Sequence, residues 1–138
     1  MFRRKDRIEI KTPEQIALMR GAGLVVGRTL EQLRAAVAPG MTTKDLDVIA
    51  EESIRSHGAV PSFLGYHGFP AVICASPNNM IVHGIPDGYV LREGDLISID
   101  CGAIVDGWHG DAAFTAGVGE IPAEIQRLID QTDASLMA

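Results

Sequence analysis

Two aspartates, Asp100 and Asp111, have the spacing in this 138-residue sequence that best suits metal chemistry. They flank Asp106-Gly107, a dipeptide typical of a two-residue β-hairpin turn. In such a hairpin Gly102 faces Asp111, and the alternation of side chains places Asp100 on the same face. The two aspartates are then diagonal neighbours, with backbones roughly 7–8 Å apart. Their carboxylates could share two metal ions roughly 3.5–4 Å apart, with Gly102 leaving room for the ions.

Spacing alone leaves other interpretations of these aspartates open. A bulge at Gly110 would change the strand parity and separate the two carboxylates. Asp100 also follows Leu96-Ile97-Ser98-Ile99, a segment that reads as a buried strand. A buried carboxylate is costly unless it is paired, hydrogen-bonded or bound to a metal. A buried ion pair or a hydrogen-bonded turn would therefore explain the pattern as well as a metal site would.

Three histidines and one cysteine are further candidates. His83 stands at a turn in Val82-His83-Gly84-Ile85-Pro86, where an imidazole can bond a substrate or transition-state oxygen. His67 allows a similar role, and an ordinary surface or capping histidine is the alternative for both. His109 lies close to Asp111 in the sequence and could support that ligand or simply be a paired strand residue. Cys74 has no adjacent base in the sequence, so a small buried hydrophobe is its default interpretation.

Helical patterns surround the segment that carries these residues. Thr12, Pro13 and Gln15 predict a helix that begins with a capping box and ends at Pro39-Gly40. Its predicted buried face consists of Ile16, Met19, Gly23, Val26, Leu30, Leu33 and Val37. The pattern predicts a second helix from Thr42 or Thr43 to His57-Gly58, burying Leu46, Ile49 and Ser53–Ile54.

From Ala59 to Gly119 the chain is rich in Gly, Pro and β-branched residues, which predicts strands. Short strands are expected at Val72-Ile73-Cys74 and Met80-Ile81-Val82, joined by a turn at Ser76-Pro77-Asn78-Asn79. A long strand is expected over 96–105, with its return over 108–118. A third helix opens at Pro122 and places Ile125, Leu128, Ile129 and Thr132 on one face. Its pattern continues to Ala138, so we expect one partial domain, residues 1–138, from the front of a larger fold.

Composition narrows the function classes. The formal net charge of −6 argues against a general nucleic-acid binder. The sequence has neither a secretory signal nor an apolar run long enough for a membrane span, which predicts a cytoplasmic protein with free thiols at Cys74 and Cys101. The basic residues cluster near the N-terminus, where a solvated arm is the simplest interpretation and contact with an acidic partner the alternative. They are Arg3, Arg4, Lys5, Arg7 and Lys11.

Taken in order, several segments resemble a type I methionine aminopeptidase along nearly the whole chain. The most diagnostic are His83-Gly84-Ile85-Pro86 and Asp106-Gly107-Trp108-His109-Gly110-Asp111. The other segments are Gly65-Tyr66-His67-Gly68-Phe69-Pro70, Cys74-Ala75-Ser76-Pro77-Asn78-Asn79 and Gly94-Asp95-Leu96-Ile97-Ser98-Ile99-Asp100.

The resemblance implies a fold and a set of site residues. The fold is the α+β pita-bread fold, of which this chain would be the N-terminal half, a curved antiparallel sheet with helices on one face. Asp100 and Asp111 match metal ligands, with Asp111 bridging two divalent ions. His83 matches the catalytic histidine that contacts substrate. The positions that match the pocket for the methionine side chain are Tyr66, His67, Phe69 and Cys74.

The resemblance also implies a reaction: metal-assisted removal of the N-terminal methionine from nascent chains. The two ions could be Co, Mn, Fe or Zn, and the full-length family is expected to be monomeric. The ribosome is a further candidate partner, whereas nucleic acid and membrane are not expected. One further His and two Glu ligands, with another catalytic His, belong to a second half that this sequence does not show. Alternatives are a non-catalytic peptide- or partner-binding module and a proline-specific aminopeptidase of the same fold.

Overall fold

The computed structural model describes residues 8–138, so Arg3, Arg4, Lys5 and Arg7 of the basic cluster lie outside the described residues. Three helices and a four-stranded sheet make up the described chain. The elements are α1 (Pro13–Ala36), α2 (Thr43–Ser56), β1 (Val60–Pro61), β2 (Ile73–Pro77), β3 (Leu96–Val105), β4 (Trp108–Gly117) and α3 (Ala123–Leu136).

Capping boxes begin the first two helices. At α1 the backbone N–H of Gln15 donates to Thr12 Oγ1, and the N–H of Thr12 donates to Gln15 Oε1 at 2.8 Å. At α2, Thr42 and Asp45 exchange the same pair of bonds. These bonds satisfy backbone donors that a helix start leaves without partners. Both predicted helix starts are therefore confirmed.

The predicted buried face of α1 is only partly correct. Val26 and Leu33 are buried as expected, but Ile16 is 55% and Met19 is 37% exposed. The reason is that burial begins only at the third turn, where α1 reaches the sheet. The buried residues of α1 are Ala22, Val25, Val26, Thr29 and Leu33. Gly23, also predicted to be buried, is exposed.

Strand β3 forms the centre of an antiparallel sheet. It pairs along its whole length with β4, and on its other side with β2 and β1. Asp106 (φ 50°) and Gly107 (φ 81°) form the connecting turn with both residues left-handed, as a two-residue hairpin turn requires. Ala103 pairs with Gly110, so no bulge interrupts the ladder and the predicted register is confirmed.

The two faces of the sheet differ in character. Alternate residues of β3 are buried in the core beneath the helices, with α1 packed on β3 and β4 and α2 on β1 and β2. These core residues are Ile97, Ile99, Cys101 and Ala103. The opposite face of β3 carries Asp100 and Gly102. The predicted α+β arrangement, an antiparallel sheet with helices on one face, is confirmed.

The predicted strand at Met80-Ile81-Val82 is wrong. β2 extends through Ser76 and Pro77, so the turn begins later than expected, at Asn78. Residues 80–82 form no strand because they have no ladder partner, and Ile81 is 87% exposed.

Helix α3 begins after Pro122 as expected, but it buries none of its residues. Leu128 is 61% exposed, and Ile125 and Ile129 are half-buried. Within residues 8–138, no helix is both long and apolar enough to cross a membrane.

Candidate metal and substrate site

Asp100 and Asp111 lie side by side on the open face of the sheet. Gly102 pairs with Asp111, and Asp100 pairs with Ala113, so the two aspartates are the diagonal neighbours that the sequence predicts. Asp100 Oδ1 is buried and has no hydrogen-bond partner among the described residues. A buried acceptor of this kind calls for a cation or a proton.

The electrostatics of the pair agree with this geometry. Burial raises the pKa of the Asp100 carboxyl above its ordinary value, and the negative charge of Asp111 raises it further, while the nearby His83 imidazole acts in the opposite direction.

Cys74 pairs directly with Asp100 across β2 and β3. Burial raises the pKa of its thiol to about 11, with further contributions from Asp100 and Asp111. Cys74 is therefore a neutral, buried thiol beside two carboxylates, which excludes it as a thiolate nucleophile near neutral pH.

His83 reaches this face because the residue after it is pinned to β2. Gly84 accepts the Ala75 N–H through its carbonyl oxygen at 2.9 Å and donates its own N–H to Ser76 Oγ at 3.1 Å. A Cβ on Gly84 would overlap the Ala75 carbonyl oxygen, so only glycine fits. His83 itself is left-handed (φ 59°), and this conformation turns the chain at the site.

Tyr66 and His67 occupy a short 3₁₀ turn, Tyr66–Gly68, between β1 and β2. The Phe69 N–H donates to the Tyr66 carbonyl oxygen at 2.9 Å and closes the turn. His67 is left-handed (φ 47°), and its ring meets the Tyr66 ring edge to face with centroids 4.4 Å apart. This segment, the aromatic turn, thus carries the Tyr66 ring and the His67 imidazole.

One cavity of about 550 Å³ brings together the two aspartates, His83 and the residues that the resemblance assigns to the substrate pocket. Its apolar lining includes Tyr66 and Phe69, and its polar lining includes the two aspartates and His83. The predicted residues that line it are Tyr66, His67, Phe69, Cys74, His83, Asp100 and Asp111.

Phe63 also lines this cavity, and the sequence reasoning missed it. Its place also corrects the expectation that Gly102 leaves room for ions. A Cβ on Gly102 would lie 2.8 Å from Phe63 Cε1 and 2.9 Å from Ser62 Cβ, so these side chains occupy that space. No local pattern marks Phe63, because its position depends on contacts with a strand about forty residues later.

His109 does not line the cavity. Its Nδ1 lies 3.2 Å from Ser62 Oγ, within hydrogen-bond distance, at the rim of the same face.

Metal binding by these residues is chemically consistent but incomplete. Carboxylate oxygens suit divalent cations, and the unpartnered Asp100 oxygen fits such a role. Within residues 8–138, however, no cluster of three or more His, Cys, Asp or Glu side chains could hold an ion. The described chain therefore supplies part of a donor set.

An antiparallel sheet with helices on one face and a carboxylate-bearing cavity on the other is the arrangement of one half of the α+β pita-bread fold. The chain belongs to metallopeptidase family M24, whose sequence profile matches residues 17–138. The resemblance inferred from the motifs is confirmed.

Named relatives agree with this family. The chain is 52% identical over 128 residues to methionine aminopeptidase from Clostridium perfringens, covering 93% of this chain and 51% of that protein. It is 55% identical over 125 residues to methionine aminopeptidase 1 from Mycobacterium tuberculosis, covering 90% and 47%. The chain thus spans about half the length of the curated relatives it matches.

Solved structures share the fold. Methionine aminopeptidase from Rickettsia prowazekii superposes with a TM-score of 0.92 at 38% identity, over 95% of this chain and 53% of that chain. An Xaa-Pro dipeptidase from Bacillus anthracis superposes with a TM-score of 0.73 at 23% identity, over 86% of this chain and 32% of that chain. The second likeness shows the fold alone.

Proposed function

We propose that this chain carries the substrate pocket and two metal-binding aspartates of a methionine aminopeptidase. The observation that carries the proposal is the cavity itself. Its lining combines the apolar Phe69 and the thiol of Cys74 with the polar side chains of Asp100, Asp111 and His83. An apolar pocket beside a metal-binding carboxylate pair suits a substrate whose first residue is apolar and whose first peptide bond is cleaved.

Each side chain has a role in this proposal. The aromatic rings and the thiol form a soft, polarisable pocket for a thioether side chain, since sulfur packs favourably against aromatic edges. Asp100 and Asp111 would hold divalent ions, which supply Lewis-acid activation when bound. His83 would donate a hydrogen bond to the carbonyl oxygen as negative charge develops on it.

The remaining parts of the proposal rest on the family. The substrates would be N-terminal methionyl peptides of nascent chains, the ions Co, Mn, Fe or Zn, and the compartment the cytoplasm. The ribosome stays a candidate partner. Residues 1–138 would form a single partial domain, with further ligands supplied from the other half of a monomeric enzyme. The relatives about half covered by this chain support that division.

Metal binding can be tested directly on this chain. We expect Mn²⁺ to raise its Tm, because a ligand that binds only the folded state stabilises that state. Asp100→Asn and Asp111→Asn should each abolish the shift. Asp106→Asn is the matched control, because it removes the same charge from the same hairpin and keeps a good turn residue. A Tm shift that persists in both site variants would contradict the assignment of these ligands.

Hydrolysis tests the reaction. Without a complete donor set, the 138-residue chain supplied with Mn²⁺ or Co²⁺ should release no methionine from a Met-Ala-Ser peptide. A longer protein that adds the second half should release it, and Asp111→Ala should abolish that release. Release by the 138-residue chain itself would show that these ligands suffice. A panel of Xaa-Pro peptides tests the proline-specific alternative, which predicts cleavage before proline.

A non-catalytic peptide-binding module is the second candidate function, favoured by the absence of a three-donor cluster in the described residues. It predicts that methionyl peptides bind equally well in EDTA and in Mn²⁺. It also predicts that Asp111→Ala leaves this binding unchanged, whereas an enzyme's metal-held substrate should bind more weakly.

A further inference from the structure

Ser62, the residue that follows β1, makes two contacts with the β3–β4 hairpin. Its backbone N–H donates to the Gly102 carbonyl oxygen on β3 at 3.0 Å. Its Oγ lies 3.2 Å from His109 Nδ1 on β4, within hydrogen-bond distance. Ser62 is thereby tied to both strands of the hairpin that carries the two aspartates.

The next residue, Phe63, lies against the backbone of Gly102. A side chain at position 102 would approach Phe63 Cε1 to 2.8 Å, closer than real Cβ contacts allow. Gly102 is also the direct partner of Asp111. The ring therefore lies on the hairpin beside the carboxylate pair and forms part of the cavity wall.

We propose that Gly102, Ser62 and His109 are positioning residues that hold Phe63 as a wall of the cavity. Through Phe63 they determine how long a substrate side chain the cavity admits, a consequence that rests on the proposed function. His109 is not among the residues that line the cavity and acts through Ser62. Gly102 acts by leaving the space that the Phe63 ring needs.

The position of Phe63 can be tested on the ligand-free chain by NMR. We expect NOEs between the Phe63 ring protons and the Gly102 α-protons in the wild type. His109→Ala should weaken or abolish them, because it releases Ser62 from β4. His109→Asn should restore them, since its amide nitrogen can take the place of Nδ1. Thr115→Val is the matched control, because it removes a hydroxyl bonded to Ser98 on the same sheet face, away from Phe63.

Side-chain length selectivity tests the consequence. The probes are norvaline, methionine and ethionine amides, whose unbranched side chains increase in length, titrated by NMR in the presence of diamagnetic Zn²⁺. Gly102→Ala displaces the ring into the cavity, so we expect about tenfold weaker binding of methionine amide and a shift of preference toward norvaline amide. Phe63→Leu should shift the preference toward ethionine amide. If Gly102→Ala does not fold, Ser62→Ala and His109→Ala, which add no atoms, take its place and should broaden the length preference.

The outcomes separate this proposal from the proposed function. Lost NOEs together with an altered length preference support it. Phe63 resonances that are unchanged in the folded variants, or an unchanged length preference after the ring has moved, would overturn it. If the wild type binds none of the amides while the NOEs behave as expected, the positioning of Phe63 stands and the methionine pocket does not.

Discussion

Three features of the site, a buried oxygen, a neighbouring thiol and a neighbouring carboxylate, occur together at Asp100. One of its carboxylate oxygens is buried without a partner in the described chain, its cross-strand neighbour is a buried thiol, and Asp111 lies diagonally beside it. Burial and then the charge of Asp111 raise its pKa. Without a cation, the ionised form is the unfavourable one.

The pH dependence of stability follows from this shift. The raised pKa means that the folded chain binds more protons than the unfolded chain from the ordinary value of 3.8 upward. Stability contributed by the neutral form is therefore present at low pH and is lost as pH rises through the raised pKa. We expect Asp100→Asn, which cannot ionise, to be more stable than the wild type at pH 7 in EDTA. Urea denaturation measures this difference.

The difference should shrink as the pH falls below 3.8, where the carboxyl is neutral in both states. Asp106→Asn, on the exposed turn of the same hairpin, should show no comparable effect at either pH. An Asp100→Asn variant that is less stable than the wild type at pH 7 in EDTA would mean that the carboxylate is stabilised in the folded state, contrary to this account.

At the scale of elements, Asp47 joins α2 to the start of β2. The side chain is buried, and its Oδ1 accepts the backbone N–H groups of Val72 and Ile73 at 2.8 and 3.1 Å. Its Oδ2 accepts a bond from Lys44 Nζ, which is largely exposed. These bonds satisfy two buried donors just before Cys74, and so place the strand that carries the pocket thiol.

Removing this carboxylate should be costly. Asp47→Ala leaves two buried N–H groups without partners, and we expect a loss of about 3 kcal/mol in the free energy of unfolding. Lys44→Ala removes only the exposed partner and should cost less than about 1 kcal/mol. Chemical denaturation of the two variants compares them. Equal losses would show that the ion pair, and not the backbone bonds, carries the stabilisation.

At the scale of the whole molecule, burial is unevenly distributed. The core lies between the sheet and the first two helices, whereas α3 buries no residue and contacts mainly β4. Helix stability in proteins comes mostly from packing of one face. We therefore expect α3 to be the least stable helix of the described chain.

Native-state hydrogen exchange tests this expectation. α2 and α3 have 14 residues each, so they form a matched pair of equal length and different burial. Amides of α3 should exchange at least about tenfold faster than those of α2, because little buried surface opposes their opening. Equal protection of the two helices would show that α3 is stabilised by contacts that the described residues do not provide.

Much of the fold and part of the site were predictable from local patterns. Thr12, Pro13 and Gln15 predicted the start of α1, and Asp106-Gly107 predicted the hairpin and its register. The same register placed Asp100 and Asp111 side by side. These successes share a cause: capping, turn chemistry and side-chain alternation depend on residues a few positions apart.

The failures share another cause. The exposure of Ile16 and Ile81 and the place of Phe63 over Gly102 depend on what packs against each residue from elsewhere in the chain. The hydrophobic periodicity of a segment carries no information about which distant residues pack against it.

The sequence by itself determined the helix starts, the hairpin and the pairing of the two aspartates, because each follows from the backbone preferences of neighbouring residues. The tertiary structure alone decided that the aromatic turn, Cys74 and His83 meet those aspartates in one cavity. It also decided that Asp47 secures the strand carrying Cys74 and that Phe63 fills the space above Gly102. These contacts join residues far apart in the chain, and only the packing of the sheet against its helices and loops brings them together.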